Sequence, residues 1–302
     1  MSGTADAGPV GAVETPQPTG VIHDIGYRRY EGRRLGRGHA FATLAAHSLR
    51  GVWGLRRPAR AKIMPFLIAG TMLVPAAVSV GVMALFKQRA IAYTDYMVIM
   101  QVVPAIFLAS QSPYLVAPDL RFRVLPLYLS RPILVADYVF AKLTALAVAM
   151  YTLIAVPLTV MFIGELLVDM PGGADVKGYT AAMATGVLHA VFLSAVGLAL
   201  ASFTPRRGLG VAAVSAFYLL TSAVSLVLFG VLSSLSRDDA AVWALLINPF
   251  LLVDAVQSWL FDVRSSTVDA YPGGPVPLVL LVAATALAIG GLFLRYRPGG
   301  SR

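Results

Sequence analysis

Residues 63–86 read IMPFLIAGTMLVPAAVSVGVMALF and contain no Asp, Glu, Lys or Arg. A helix of about 20 apolar residues crosses the hydrocarbon layer of a bilayer, and a charged side chain at its centre costs about 2.5 to 3.5 kcal/mol. A buried helix of a water-soluble protein rarely runs uncharged over such a length. This stretch therefore predicts a membrane-spanning helix.

Five further stretches of the same kind follow, and the composition agrees with a membrane protein. The 302 residues are 58% hydrophobic and 13% charged, with a mean hydropathy of +0.75, whereas a soluble domain is about 25% charged. We expect an all-α membrane protein with a single six-helix domain over residues 63–296. The uncharged stretches are residues 63–86, 96–118, 143–164, 178–205, 208–236 and 270–294, with helical spans at about 63–86, 96–118, 143–164, 179–204, 209–235 and 275–294.

The segments outside this domain differ in composition. Residues 1–20 are rich in Ala, Gly, Pro and Thr and predict a disordered tail, residues 21–62 form a basic segment, and residues 297–302 form a short tail. All but five of the 24 Lys and Arg residues lie in the N-terminal segment, in the 119–142 and 206–207 connections, and after the last span. The five exceptions are Lys87, Arg89, Lys177, Arg237 and Arg264.

This asymmetry sets the orientation. Basic residues accumulate in cytoplasmic connections, so we expect a multi-pass protein of the cell membrane with both termini in the cytoplasm. The net charge of +9 is explained by topology, and no nucleic-acid partner is expected.

No motif in the sequence predicts an enzyme. No lysine follows a glycine, which excludes a G-x-x-x-x-G-K phosphate loop, and no serine stands in G-x-S-x-G. The four histidines lack metal-site spacing and there is no cysteine, so no metal, cofactor or catalytic residue is expected in this chain. His189 lies within the fourth span, where it either lines a transport route or forms a neutral hydrogen bond between helices; the second interpretation is favoured. Glu165, at the outer boundary of the third span, is expected to be solvated.

An amphipathic helix is predicted before the first span, over residues 39–57. Thr43, His47, Arg50, Gly54 and Arg57 fall on its polar face. Such a helix lies in the cytoplasmic interface, with its arginines toward anionic lipid; a cytosolic helix packed on a partner is the alternative. The apolar face comprises Phe41, Leu44, Ala45, Ser48, Leu49, Val52 and Trp53.

The connection between the last two spans contains a second apolar segment. Residues 240–253 are uncharged but too short to cross a bilayer, and Asn248-Pro249 interrupts them. Asp254 then separates them from residues 255–261. This pattern predicts a pair of short re-entrant or interfacial helices on the outer face. A seventh span would place the C-terminal arginines outside.

The inner connection over residues 118–142 is more apolar than a segment bathed in cytosol usually is. It is interpreted as a docking surface for an external motor, with an ordinary loop held at the interface by its arginines as the alternative. A turn is predicted at Arg131-Pro132, after which Asp137 and Tyr138 begin the helix of the third span. The candidate docking residues are Asp119, Leu120, Arg121, Phe122, Arg123, Leu125, Leu127, Tyr128 and Arg131.

Three pieces of the sequence resemble actinobacterial ABC-2 type transporter permeases. They are IHDIGYRRYEGRR at 22–34, LSRPI at 129–133 followed by Asp137-Tyr138, and Asn248-Pro249 before the last span. The likeness runs from Val21 to Tyr296, although no large periplasmic domain is present.

The resemblance implies roles for several segments. Residues 39–57 would form the elbow helix, residues 119–131 would hold a coupling helix that docks into a separate ATP-binding subunit, and Asn248, Pro249 and Phe250 would belong to an outer gate. The implied partners are a nucleotide-binding subunit, which would carry ATP and Mg, and a second permease copy, identical or paralogous.

The expected function is export of a hydrophobic or amphipathic molecule, driven by ATP hydrolysis on the partner. The spans offer Ser and Thr but none of the four charged residue types, which suits such cargo. A carrier or channel driven by an ion gradient, acting without an ATPase, is the alternative. A membrane scaffold or sensor component is the third possibility.

Overall fold

The computed structural model describes residues 3, 32, 35–55, 57–122, 124–129, 133–168, 170–204, 206–265, 267–268, 271–272 and 274–296, without the side chains of Leu125 and Leu129. The predicted tails apart from Gly3, residues 21–34 apart from Gly32, Arg123 and the Arg131-Pro132 turn lie outside these residues. Within them all regular structure is helical. The helices are α1 Arg37–Val52, α2 Arg60–Phe86, α3 Tyr96–Ile99, α4 Val102–Arg121, α5 Leu125–Leu129, α6 Val135–Val168, α7 Val176–Ser202, α8 Arg207–Ser234, α9 Asp238–Leu245, α10 Pro249–Phe261 and α11 Val276–Tyr296.

Five helices of the described chain are long and apolar enough to cross a membrane, and the bent pair α9–α10 would make six if counted as one span. The five are α2, α6, α7, α8 and α11, and each covers one of the predicted spans to within eight residues at either end. The all-α class is therefore confirmed, as is the helical character of five spans.

The predicted second span, residues 96–118, is not a single helix. It is divided into α3 and α4 by a break at Met100 and Gln101. Helix α4 is also more polar than the five apolar helices, because it lies inside the bundle, where it contacts α1, α2, α6, α7 and α8. A helix surrounded by protein buries polar side chains such as Gln111 and Ser112 among its neighbours.

The helices alternate in direction, so the bundle has two distinct ends. At the first, which we call the basic end, Lys142 near the start of α6 pairs with Asp119 near the end of α4 at 3.0 Å. There too Arg207, at the start of α8, lies over the Tyr114 ring of α4 at 5.7 Å, and Arg295, near the end of α11, donates to the Ser202 carbonyl that ends α7 at 3.2 Å.

The opposite end, which we call the acidic end, is joined by other contacts. Arg89, after α2, donates to the carbonyl of Gly173, before α7, at 2.9 Å. Lys177, at the start of α7, donates to the carbonyl of Asp262, after α10, at 3.2 Å. Thus α4, α7 and α11 run toward the basic end, and α2, α6 and α8 run away from it. These two ends coincide with the division of basic residues in the sequence.

The outside of the bundle is strongly apolar. Leu67 on α2, Leu226 on α8 and Leu287 on α11 are 62, 68 and 76% exposed. Water would penalise such a surface at about 25 cal/mol per Å², whereas lipid acyl chains would not. This exterior is that of a multi-pass helical membrane protein.

Candidate functional site

The predicted docking segment begins as a continuation of α4 and is tied to α6. The Asp119 carboxylate accepts hydrogen bonds from the Tyr138 hydroxyl at 2.7 Å and pairs with Lys142 at 3.0 Å. Tyr138 is fully buried and stacks edge-on against Tyr296 of α11, with ring centroids 5.2 Å apart. Asp119 therefore faces the bundle and joins α4 to α6, instead of pointing outward, and Tyr138 extends this contact to α11.

The other candidate residues of this segment divide between the interior and the surface. Leu120 and Tyr128 are half-buried against the core, and the Tyr128 ring lies 5.7 Å from that of Tyr138. Phe122 and Leu127 are each 69% exposed. Arg121 is exposed beside Phe122, 5.6 Å from its ring. Among the described side chains of the segment, Phe122 and Leu127 are the large apolar ones that are exposed.

Helix α1, predicted as the elbow helix, lies against α6 and α4. Ser48 and Val52 are buried, and Phe41, Leu44 and Leu49 are half-buried. The polar-face residues Thr43, His47, Arg50 and Arg57 are exposed. Gly54, also predicted on the polar face, is buried instead, because α1 ends at Val52 and the chain turns there. The predicted apolar face is thus the face turned toward the bundle of the same chain. The helix ends before Trp53, whose ring contacts Phe66 of α2 and Phe107 of α4 at 5.7 and 5.8 Å.

The predicted gate residues lie at the bend between α9 and α10, which meet at 109°. The Asn248 side-chain oxygen caps α10 by accepting from the Phe250 amide at 3.0 Å, and its Nδ2 donates to Gln101 Oε1 at 2.9 Å. Pro249 occupies the first turn of α10, where its missing N–H costs nothing. The bend is therefore joined to the break between α3 and α4.

This bend reaches into the bundle and does not lie on its surface. Ser225, nine residues before α8 ends, donates to the Leu245 carbonyl of α9 at 3.3 Å. Phe250 is 1% exposed and its ring lies 6.0 Å from that of Tyr218, deeper along α8. The start of α9, which follows α8, and the end of α10, which lies beside Lys177, are both at the acidic end. The two helices therefore enter and leave the bundle from the same side.

His189 faces the bend from α7. It is 2% exposed, and its ring lies 6.2 Å from Phe250. Its Nδ1 is 3.2 Å from the Thr185 carbonyl oxygen, so Nδ1 carries the proton, since a carbonyl oxygen only accepts. Nε2 has no hydrogen-bond partner among the described residues.

Polar contacts hold α10 to its neighbours beyond the bend. The Gln257 side chain donates to the Thr94 carbonyl at 3.1 Å and accepts from the Thr185 hydroxyl. Gln257 and Thr185 are buried. Helix α10 is therefore fixed to α7 and to the segment before α3 by hydrogen bonds, which are directional and must break if α10 moves.

Glu165 was expected to be solvated, and this prediction is wrong. It is 1% exposed, accepts from Arg89 Nε at 2.6 Å and from the Tyr93 hydroxyl, and receives the Asp175 amide at 3.3 Å. Burial, followed by the hydrogen bond to Glu165, raises the pKa of Tyr93 above its usual value, so the phenol remains a donor. These contacts could not be predicted from the sequence, because Arg89 and Tyr93 lie on a different connection from Glu165 and Asp175.

Asp254 is a second buried carboxylate at the acidic end. It is 2% exposed and accepts from Ser265 Oγ at 2.7 Å and from the Tyr271 hydroxyl at 2.8 Å. Burial and the nearby Asp254 carboxylate raise the pKa of Tyr271. These bonds join α10 to the connection leading to α11. The sequence marked Asp254 only as an interruption of an apolar run.

Taken together, the candidate site is a bent helical pair held in the bundle by hydrogen bonds, with an anchored apolar segment at the opposite end. The described residues contain no cluster of three or more His, Cys, Asp or Glu side chains placed to hold a metal ion. No protein-family model matches the chain, and no curated protein matches it either.

Proposed function

We propose that this chain is the membrane-spanning permease subunit of an ABC-2 type transporter and exports a hydrophobic or amphipathic molecule. A separate nucleotide-binding subunit would hydrolyse ATP, and a second permease copy would complete the route. Six crossing helices, α2, α4, α6, α7, α8 and α11, form too thin a wall to enclose a passage, which a two-fold pair would do. Both termini would lie in the cytoplasm.

The observation that carries this proposal is the exposed apolar segment at the basic end. Phe122 and Leu127 stand 69% exposed where the charge distribution expects cytosol, and exposed apolar residues of this size mark protein interaction sites when they lie together. Asp119, three residues before Phe122, is held by Lys142 and Tyr138. A displacement of the segment would therefore act on both α4 and α6.

The bend at Asn248 is the second part of the protein that we propose moves during transport. Helices α9 and α10 would close the acidic end of the route, and their hydrogen bonds to Gln101, Thr94 and Thr185 would break and re-form during transport. His189 and Phe250 would lie where the closed gate meets the path.

The test uses the tagged chain purified in detergent from the cells that make it. We expect vanadate-sensitive ATPase activity to copurify, and Phe122→Ser with Leu127→Ser to remove it, because the docking surface is lost. The matched control is Phe86→Ser with Leu235→Ser at the acidic end, where the side chains are 67 and 63% exposed. Full ATPase copurification with the first pair changed would refute the coupling role.

A carrier driven by an ion gradient is the second candidate, and a specific observation favours it. Asp254, Glu165 and His189 are buried and protonatable, which is more interior polarity than the sequence indicated. However, Glu165 and Asp254 both lie at the acidic end with local partners, and no described acidic residue continues from them toward the basic end. Transport driven by a pH gradient, by the purified chain alone in liposomes, would establish this alternative.

A further inference from the structure

An apolar groove lies between α2 and α6, next to the end of α1. Its walls include Trp53 after α1, Phe66, Ala69 and Leu73 on α2, and Val156 and Pro157 on α6. Thr152 also lines it, but its hydroxyl already donates to the Val148 carbonyl at 2.8 Å within the helix. The groove therefore offers almost purely apolar contacts.

One face of α2 runs from this groove to the side chain of Lys62. Lys62, Phe66, Ala69 and Leu73 are spaced by four, three and four residues, so they lie along one stripe of the helix. Lys62 is exposed and stands one turn nearer the basic end than Phe66. From Phe66 to Leu73 the stripe extends about 10 Å, well within the half-thickness of the hydrocarbon layer, about 15 Å.

The chain that enters the groove is basic, and we take this end of the groove as its mouth. Leu55 and Phe66 both line the groove, and the chain between them carries Arg60 and Lys62, both exposed. The Arg57 guanidinium between them lies over the Tyr114 ring of α4 at 4.5 Å. Gly54 makes the tight turn possible with a φ of +65°.

The charge at this mouth is not cancelled by the carboxylates of the basic end. In the described part of the chain these are Asp119 and Asp137, and Lys142 and Arg37 pair with them at 3.0 and 2.6 Å respectively. An apolar channel below exposed cations complements a molecule with an anionic head and an acyl chain.

We propose that this groove is a binding site for one anionic phospholipid of the leaflet at the basic end. The phosphate-bearing head group contacts Lys62 and Arg60, and one acyl chain lies along Phe66, Ala69 and Leu73 against α6. The site is distinct from the general attraction of a basic segment to a charged membrane, because it needs both the stripe on α2 and the groove wall on α6. It does not depend on what the chain transports.

Trp53 is a built-in reporter for this site. Trp243 and Trp259 are the other two tryptophans of the chain, and changing both to Phe leaves fluorescence from Trp53 alone. This variant is placed in nanodiscs of phosphatidylcholine that contain increasing fractions of brominated phosphatidylglycerol or brominated phosphatidylcholine. Bromine quenches tryptophan only at contact, so the quenching curve reports occupancy of the groove.

We expect the phosphatidylglycerol curve to saturate at a lower mole fraction, with an apparent preference of about fivefold for each participating cation. Lys62→Gln should lower this preference about fivefold, and Arg60→Gln with it should remove it. Lys87→Gln, at the other end of α2, is the matched control and should leave the preference unchanged. Ala69→Leu should reduce quenching by both brominated lipids, because it fills the groove.

Equal quenching by the two brominated lipids would overturn the proposal. So would an equal effect of Lys62→Gln and Lys87→Gln, which would show only the ordinary lipid shell attracted by net charge. Lys62 is exposed, so Lys62→Gln leaves the fold intact. Its effect on the lipid preference therefore tests the site even if Ala69→Leu disturbs the packing.

Discussion

Among single residues, Glu165 carries the clearest energetic prediction. Its carboxylate is buried and joined to Arg89 and to Tyr93, so Glu165→Ala strands two polar groups. Breaking a buried ion pair costs about 3 to 5 kcal/mol, and the Arg89 side chain, 35% exposed, regains water in part. We expect the free energy of unfolding in detergent micelles, followed by circular dichroism, to fall by about 3 kcal/mol.

Asp238→Ala serves as the control for this change, because Asp238 is an exposed carboxylate in the first turn of α9 at the same end of the bundle. Its loss should cost at most about 1 kcal/mol, through the helix dipole. Equal effects of the two substitutions would show that the Glu165 ion pair contributes nothing beyond surface electrostatics.

The burial of individual charged side chains was the feature least predictable from the sequence. Glu165 and Asp254 could not be recognised as buried, because burial of a charge depends on partners such as Arg89, Tyr93 and Tyr271 that the fold brings from other connections. The apolar face of α1 was easier to find. There the helical period alone places Ser48 and Val52 on the face opposite Thr43 and His47, with no knowledge of the tertiary contact.

Among the elements, the ends of α2, α7, α8 and α11 lie within three residues of the predicted ends, since the cost of a charge in hydrocarbon marks where each span stops. Helix α6 is longer than its predicted span, because it continues through Lys142 and Glu165, whose charges are paired inside the bundle. The same reasoning misjudged residues 96–118. Uncharged length says nothing about a break at Met100 and Gln101, and the link from Gln101 to Asn248 joins positions 147 residues apart. The outer helical pair was anticipated because Asn248-Pro249 is a strong local signal for a helix start.

The bend between α9 and α10 can be tested by separating the two roles of Asn248. Asn248→Ser keeps an oxygen that caps α10 but loses the amide that reaches Gln101, whereas Asn248→Ala loses both. We expect the serine variant to be about 1 kcal/mol less stable than the native chain, and the alanine variant about 1 kcal/mol less stable again. Chemical unfolding in micelles measures both steps. If serine and alanine are equally damaging, the cap has no energetic role.

The packing of α2 on α6 depends on Gly164. A Cβ added there would lie 2.7 Å from Cγ1 of Val80, and a β-branched side chain has little freedom to turn away. We expect Gly164→Ala to lower the unfolding free energy by about 1 to 3 kcal/mol. Gly70→Ala, in the same helix as Val80 but with open space around it, should be neutral or stabilising by up to about 1 kcal/mol. Thermal unfolding of both variants in one detergent makes the comparison; a neutral Gly164→Ala would mean that the helices do not approach closely there.

In the whole molecule, the exposed leucines on α2, α8 and α11 and the opposite charges of the two ends are both features of one membrane-spanning helical bundle. The apolar belt accounts for the composition, and the division of Lys and Arg predicts the orientation. The number of crossings is even if the α9–α10 pair returns to the acidic end, as its contacts with α8 and Lys177 predict, and odd if the pair crosses the bilayer.

The absence of cysteine in the chain allows this to be measured with single introduced thiols. Asp239→Cys and Arg264→Cys stand on exposed positions at either end of the α9–α10 pair, and Leu127→Cys stands at the basic end. Because the pair enters and leaves the bundle from the acidic end, we expect a membrane-impermeant maleimide to label positions 239 and 264 in intact cells. Position 127 should react only after permeabilisation, since we propose that the basic end faces the cytoplasm. Labelling of 239 and 264 from opposite sides would instead show that α9–α10 crosses the bilayer. The start of α11 would then lie in the cytoplasm, and its arginine-bearing end would lie on the other side from the remaining basic connections. That arrangement would contradict the contact between Arg295 and Ser202.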